Sequence, residues 1–264
     1  MFELLLFSSD VRLVTSAVDA GVDAIVIDWE RRGKQERQAV ADTQIGHDTP
    51  RDLARVRRAT SAHIICRING VNDATAEEVE TAIGEGANEL LIPMVRTRSE
   101  VEFVLERVES RCAVGMLVET IAAVESIQSF STLPLSRVYV GLNDLAIERQ
   151  TPNIFTAVAD ETVESVRACV GAPFGFGGLT LPRRGHPIPC HLLMGEMARL
   201  GCSFSFLRRS FHRDTHGQSL PDAIAQIRAG LATAFERPAA SVSLDRQALV
   251  EAIEGWTLPR AASG

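Results

Sequence analysis

The chain has no CxxC pair, no surplus of basic charge, no apolar run long enough to cross a bilayer, and no GxGxxG after its first strand-like segment. Its five cysteines (Cys66, Cys112, Cys169, Cys190 and Cys202) are odd in number and scattered. This argues against a zinc site and points to reduced thiols, most of them packing groups, in a cytoplasm. Acidic residues outnumber basic ones, 34 against 27, for a net charge of −7. That argues against nucleic acid or an anionic membrane as the main partner, while a local basic site can still take an anionic metabolite. No segment approaches the ~18 consecutive apolar residues of a membrane span. The start, Met1 to Phe7, has no basic region and reaches Ser8-Ser9-Asp10 too soon for a signal peptide. The expected location is the cytoplasm. The missing glycine fingerprint weighs against an open, dinucleotide-binding sheet.

Eight apolar, strand-like segments are present, alternating with helical patterns. The strand candidates are Leu4–Phe7, Ala24–Glu30, Ile64–Asn69, Glu89–Met94, Val114–Val118, Val138–Val140, the glycine-rich Phe174–Leu181, and Phe204–Leu207. Between them, Asp10 is placed to cap a helix striped by Val11, Val14 and Val18, which Gly21 ends. Ile121–Ser131 carries Ile121, Val124, Ile127 and Phe130 at helical spacing, and Thr156–Val170 is the expected helix after the sixth strand. No low-complexity linker interrupts the series. Strict alternation predicts a parallel α/β sheet, and eight repeats in 264 residues favour closure into a (β/α)8 TIM barrel over an open doubly wound sheet. The barrel is expected over residues 1–236. Residues 237–264 form a C-terminal extension with one extra helix, whose stripe of Leu249, Ile253 and Trp256 packs either on its own barrel or on a neighbouring subunit.

A barrel of this kind works at the C-terminal ends of its strands. Polar residues there are Asp28 and Glu30, Arg67 and Asn69, Glu119, Asn143 and Asp144, and Arg208 and Arg209. Glu119 and Asp144 end neighbouring strands. As a pair they suit a hard divalent cation, which takes one or two carboxylates and leaves room for substrate; an acid/base couple; or simply a helix cap and an ordinary ion pair. Arg67 stands among apolar neighbours and must find an anion. That anion is either Asp28 or Glu30, or a substrate carboxylate or enolate oxygen. Arg208 and Arg209 are an anion site or a structural pair at barrel closure. His47, in a polar loop, reads as a surface residue.

Five motifs in order carry a resemblance. Gly21-Val22-Asp23-Ala24-Ile25-Val26-Ile27-Asp28-Trp29-Glu30 with Lys34 and Arg37, then Cys66-Arg67-Ile68-Asn69, Leu91-Ile92-Pro93-Met94-Val95, Leu117-Val118-Glu119-Thr120 and Gly141-Leu142-Asn143-Asp144-Leu145 together resemble citrate lyase β-subunit-like proteins and the class II 2-oxo-acid aldolases. The resemblance implies a barrel of the phosphoenolpyruvate/pyruvate-binding type. It implies Mg²⁺, Mn²⁺ or another divalent cation on Glu119 and Asp144, and a substrate oxygen on Arg67. Asp28 and Glu30 are grouped with Arg67 as catalytic candidates, either directly or by fixing it, and Asn143 and Arg208 are candidate substrate contacts. The resemblance also implies a homo-oligomer, a trimer or hexamer. Two departures stand out. The histidine that the aldolase branch usually carries after the second-strand acid is replaced by Arg31. The arginine and PG motif that the citrate-lyase branch has near the first strand are replaced by Ser8-Ser9-Asp10. A small free oxo acid, or an unusual substrate, is therefore favoured over an acyl-CoA substrate.

The expected chemistry is carbon–carbon cleavage or formation through a metal-stabilised enolate. The base is either water at the metal or an acidic residue of a neighbouring subunit. Thioester or phosphoenolpyruvate-type chemistry on the same site, and a non-catalytic barrel that only binds a metabolite, are the alternatives.

Overall fold

The computed structural model describes residues 1–31 and 48–256. Lys34, Arg37 and His47 lie outside the described residues. In chain order the elements are β1 (Glu3–Phe7), α1 (Val11–Asp19), β2 (Ala24–Asp28), α2 (Pro50–Ala59), β3 (His63–Arg67), α3 (Thr75–Gly84), β4 (Glu89–Ile92), α4 (Arg98–Val108), β5 (Ala113–Val118) and α5 (Ile121–Glu125). There follow a 3₁₀ turn (Ile127–Phe130), β6 (Arg137–Val140), α6 (Leu142–Glu148), α7 (Thr156–Ala159), α8 (Thr162–Cys169), β7 (Phe174–Phe176), β8 (Gly178–Leu179), α9 (Cys190–Arg199), β9 (Phe204–Leu207), α10 (Phe211–Asp214), α11 (Leu220–Glu236) and α12 (Ala239–Glu254).

All strand pairs are parallel, and the sheet runs β7-β6-β5-β4-β3-β2-β1-β9-β8. The fold is an α/β barrel of the TIM type. The expected seventh strand is broken into two, β7 and β8, at Gly177, whose φ of +60° lies in the left-handed region that favours glycine. β7 pairs with β6 and β8 with β9, so this bent strand carries the sheet round to its starting edge. A hydrogen bond from Ser203 N–H to the Phe174 carbonyl, 2.9 Å, ties the same seam.

Strand alternation sorts the core into two layers. Leu5, Ala24, Val26, Ile65, Leu91, Leu117, Tyr139, Phe204 and Phe206 fill the barrel lumen. Their neighbours Leu4, Leu6, Ile25, Ile27, Ile64, Cys66, Val118 and Val140 face the helix ring. Each fully buried side chain of this size contributes about 1.5–3 kcal/mol, so the two layers together define strand register. Asp10 caps α1 through bonds from the Arg12 and Leu13 N–H groups at 2.8 and 3.0 Å, as its sequence position predicts.

Two helices differ from expectation. Ile121–Ser131 is α5 followed by the 3₁₀ turn rather than one helix. α6 starts almost at the end of β6, ahead of the helix expected after that strand at Thr156–Val170, which is itself divided into α7 and α8. The seven residues of α6 are too few for a helical stripe to register. The C-terminal helix α12 packs on its own chain: Leu249 and Ile253 are buried, Arg246 donates to the Val158 carbonyl and to Glu196 at 3.0 Å each, and Asn153 donates to the Ile253 carbonyl at 2.9 Å. Among the described residues no helix is long and apolar enough to cross a membrane. All five cysteines are free thiols, and burial pushes the Cys112 thiol up to about 12, which removes it from nucleophilic use near neutral pH.

Candidate active site

The site grows directly out of the lumen. In β2, β3, β5 and β9 the last apolar luminal residues are Val26, Ile65, Leu117 and Phe206. Two positions further along each strand, on the same side, come Asp28, Arg67, Glu119 and Arg208. The expectation that chemistry-bearing residues gather at strand ends therefore has a simple cause: the period that builds the core also aims these side chains into its mouth. Phe7 continues β1 in the same way and lays its ring against Phe206, centroids 4.9 Å apart. Phe206 in turn meets Tyr139 at 4.4 Å. These three rings form an apolar floor.

Arg67 lies on one side of that floor, its Cζ 4.9 Å from the Phe7 centroid. Its Nε and Nη2 donate to the two oxygens of Asp28 at 2.9 and 2.8 Å, a bidentate fork. Nη1 stands 3.2 Å from Glu30. Both readings of Arg67 are therefore compatible. The guanidinium carries five N–H groups; three are engaged by these contacts, and two remain on the outer nitrogens. Asp28 and Glu30 touch the arginine and hold it, and they are themselves buried at 7% and 2% exposure. The cost of burying this cation is met by its carboxylate neighbours, which raise its pKa against the effect of desolvation.

Glu119 is 4% exposed. One carboxylate oxygen accepts from the Met94 N–H at 3.1 Å. Met94 is in the left-handed region, φ 54°, an uncommon conformation for a residue with a side chain, and the turn delivers that N–H at the exit of β4. Thr120 fixes the other flank: its hydroxyl donates to the Val95 carbonyl at 2.6 Å and accepts from the Ala123 N–H at 3.0 Å. Burial pushes the Glu119 carboxyl up to about 8, with the charges of Asp144 and then Glu30 adding to the effect, and Arg67 and the Met94 N–H opposing it. Asp144 occupies the first turn of α6. Gly141 precedes it, and the space beside that glycine is taken by Glu119: a Cβ there would lie 2.5 Å from the Glu119 Cγ and Oε1.

The donor set fits a hard cation in kind: one carboxylate just past β5 and one in the first turn of α6, the former buried and burdened by the latter's charge. Among the described residues no group of three or more His, Cys, Asp and Glu is arranged as a metal cluster. A cation here would therefore draw its other ligands from water and substrate. Asn143 is half-buried beside Asp144 on α6. Arg31, in the place of the family histidine, donates from its side chain to the Asp48 carbonyl at 2.6 Å and from its backbone N–H to Asn69 Oδ1 at 2.9 Å. It clips the second strand's exit to its surroundings and is exposed. Arg208 follows β9 on the luminal side, whereas Arg209 is exposed.

Sequence reasoning missed four contributors. Met94 lay inside a quoted motif, but its positive φ leaves no trace in residue type. Phe7 and Tyr139 were readable, since both fall on luminal positions of their strands. Gly141 was quoted only as part of a motif, and its role as space for Glu119 required coordinates.

The carboxylates and the arginine are gathered at the C-terminal mouth of a parallel barrel, the face at which barrel enzymes carry their active sites. Residues 2–169 match the HpcH/HpaI aldolase/citrate lyase family, and the chain belongs to that family, whose members are aldolase- and lyase-type enzymes. No curated protein sequence matches it. Solved structures share the fold. An HpcH/HpaI aldolase from Desulfitobacterium hafniense DCB-2 superposes with a TM-score of 0.58 at 17% identity, covering 90% of this chain and 94% of that one. The citrate synthase SbnG gives 0.56 at 20% identity, covering 88% and 92%. RipC from Yersinia pestis gives 0.56 at 14% identity, covering 92% and 98%.

Proposed function

We propose that this protein is a divalent-metal-dependent carbon–carbon lyase that makes or breaks a bond next to the carbonyl of a small 2-oxo acid. The observation that carries the reading is Glu119: a buried carboxylate whose environment disfavours its charge, beside a second carboxylate, Asp144, and within the field of Arg67. The charged form of Glu119 is disfavoured in this setting, and a cation beside it would offset that cost.

Glu119 and Asp144 would hold Mg²⁺ or Mn²⁺. A bound cation of this kind supplies Lewis-acid stabilisation for negative charge developing on the substrate oxygens. The chain's own residues do the rest. Arg67, locked by Asp28 and Glu30, presents its two remaining N–H groups without rotating. A pre-oriented donor of this sort stabilises an enolate oxygen at no reorganisation cost. Phe7, Phe206 and Tyr139 exclude water from one face of the substrate, which strengthens every charge interaction above them. Asn143 is placed to orient a substrate oxygen near Asp144. Arg31 cannot act as the base that the aldolase branch draws from histidine, because it stays protonated. Proton removal from the substrate hydroxyl therefore does not rest on that position.

Enolate formation can be tested without knowing the second substrate. Pyruvate methyl protons should exchange with D₂O in the presence of protein and Mg²⁺ or Mn²⁺, followed by NMR, and Glu119→Ala should abolish the exchange. Exchange that is independent of metal, or unchanged in Glu119→Ala, would sink the proposal.

A further inference from the structure

We propose that Glu78 is a positioning residue for Arg67. From helix α3 it holds the exits of β2 and β3 at the spacing that keeps Glu30 against the guanidinium, and so fixes where the two remaining N–H groups of Arg67 point. This rests on the enolate reading of the site and deepens it.

The regular sheet stops where the site begins. Asp28 and Arg67 are the last residues paired between β2 and β3. One more main-chain bond follows, from the Trp29 N–H to the Arg67 carbonyl at 2.9 Å. Beyond it the next link is made by a side chain: the Arg31 N–H donates to Asn69 Oδ1 at 2.9 Å. The backbone of Glu30 is thereby tied to the β3 exit on both flanks, through Trp29 and through Arg31. Its carboxylate stands 3.2 Å from Arg67 Nη1. The Asp28 fork fixes one edge of the planar guanidinium, and Glu30 fixes the nitrogen outside that edge.

The tie at Arg31 is only as firm as Asn69, and Glu78 sets Asn69. One Glu78 oxygen accepts from the Asn69 backbone N–H at 3.0 Å and the other from its Nδ2 at 2.9 Å. One carboxylate thus fixes main chain and side chain of the same residue, through bonds of the stronger, charge-assisted kind. The Asn69 amide then has a single orientation, Nδ2 toward Glu78 and Oδ1 toward the Arg31 N–H. With its ends exchanged it would set donor against donor at Arg31 and acceptor against acceptor at Glu78.

The local sequence delivers Glu78 to this place. After β3 the chain turns on Asn72, whose Nδ2 donates to the Gly70 carbonyl at 2.6 Å and whose Oδ1 accepts from the Ala74 N–H at 2.8 Å. The Asn72 N–H donates to Thr75 Oγ1 at 2.8 Å, and α3 begins at once. Thr75, Val79 and Ala82 on α3 are fully buried, which sets the rotation of the helix and lays Glu78 beside the β3 exit. The charge of Glu78 also reaches Cys66 in β3, whose thiol is raised first by burial and then by that charge. An acid in the first turn of a helix ordinarily serves the helix's own N–H groups. Among the described residues both Glu78 oxygens bond to Asn69 instead. The path from Glu78 therefore runs through Asn69 and the Arg31 backbone to Glu30, and ends on Arg67.

The test is a double-mutant cycle between Glu78 and Arg67, read on two quantities. The first is pyruvate proton exchange in D₂O with Mn²⁺, resolved into kcat and KM. The second is the affinity for oxalate, a planar dianion shaped like the pyruvate enolate, by calorimetry with Mg²⁺ present. Glu78→Gln keeps the size of the side chain but turns an amide NH₂ toward an Asn69 donor. It should lower kcat and weaken oxalate binding by about tenfold, with KM, Mn²⁺ affinity and melting temperature little changed. In the Arg67→Lys background the same substitution should alter oxalate affinity by less than about twofold, because the group through which it acts is gone. Asn69→Ala removes the next link of the path and should show the same coupling to Arg67. Unchanged kcat and oxalate affinity in Glu78→Gln overturn the proposal. Equal losses in both backgrounds overturn it too, since Glu78 then acts elsewhere, as does a parallel loss of Mn²⁺ affinity and melting temperature, which marks a structural residue. If Glu78→Gln does not fold, Asn69→Ala decides by the same criteria. Failure of the enolate reading looks different: the wild-type protein itself then shows no metal-dependent exchange, whatever Glu78 does.

Discussion

The two ends of the barrel each bury a glutamate, and the two glutamates behave in opposite ways. Glu89, at the N-terminal end, is 1% exposed, and Glu119, at the mouth, is 4% exposed. Glu89 accepts from Arg137 Nε and Nη2 at 2.7 and 2.9 Å, from the Ser136 hydroxyl at 2.6 Å, and pairs with His63 at 2.9 Å. Burial would raise its pKa, yet His63 and Arg137 overcome that and hold it below the usual value. Glu119 has one hydrogen bond among the described residues, from the Met94 N–H, and its pKa goes up to about 8. Even the aromatic contacts repeat: Arg137 lies 4.8 Å from the Phe204 centroid and Arg67 lies 4.9 Å from that of Phe7. At the N-terminal end the buried glutamate is held by side-chain donors that favour its charge, whereas at the mouth Glu119 has one backbone donor and neighbouring carboxylates that disfavour it. Burial alone does not distinguish a structural acid from a functional one; the number and sign of its neighbours do.

The largest expected effects would break this contrast outright. Arg137→Met leaves Glu89 without its cation and should destabilise the protein by about 3–5 kcal/mol, measured by chemical denaturation. Glu119→Gln removes a charge that the fold disfavours. It should leave stability unchanged or higher near pH 8, while enolate-forming activity falls about 10³-fold. If Glu119→Gln instead unfolds the protein and Arg137→Met does not, the two ends have been assigned the wrong way round.

Gly141→Ala comes next. The added methyl group collides with the Glu119 side chain at 2.5 Å, so the carboxylate must move. A displacement near 1 Å can cost about 10²-fold in rate. Affinity for Mn²⁺, followed by calorimetry, should fall with it, while the melting temperature changes little. Unaltered Mn²⁺ binding would show that Glu119 is not a ligand.

Much of this contrast was legible in the residue order. The strands, their parallel arrangement and the polar strand ends follow from period-two runs and alternation, which depend on local residue type. Asp28, Glu30, Arg67 and Glu119 could be read because each directly extends an apolar run. The broken seventh strand at Gly177, the helix α6 that carries Asp144, and the left-handed Met94 could not. Each is set by tertiary closure of the barrel or by backbone conformation rather than by side-chain pattern. Arg67 marks the boundary. The need for an anion was readable, but that two of its donors remain after Asp28 and Glu30 are bound requires distances.

A smaller effect sharpens the comparison through pH. Folded Glu119 keeps its proton up to about 8, while the unfolded chain releases it near 4.5. Its contribution to stability is therefore full below 4.5 and is lost as pH rises through about 8. Glu89 is lowered instead, so its contribution is present above the unfolded value and lost on acidification. The wild-type protein without metal should lose stability, on the order of a few kcal/mol at most, between those two pH values, and Glu119→Gln should flatten that slope. Added Mg²⁺ or Mn²⁺ should compete with the Glu119 proton, so its stabilising effect should grow with pH over the same interval. A slope that survives in Glu119→Gln would place its origin in another group.

The smallest effect concerns the single hydrogen bond that Glu119 does have. Met94 pays for its left-handed backbone with strain of about 1–3 kcal/mol, and what the mouth gains is the N–H aimed at Glu119, 3.1 Å away. Met94→Gly keeps that N–H and relieves the strain, at the cost of a half-buried side chain. The two changes oppose each other, so stability should shift by no more than about 1 kcal/mol, and activity should stay within threefold. This is the opposite of the N-terminal end, where every donor to Glu89 is a side chain that a substitution can delete. If Met94→Gly lowers activity tenfold or more with an unchanged melting temperature, the methionine side chain itself meets the substrate, and the mouth is built from one more residue than the carboxylates, arginines and rings above.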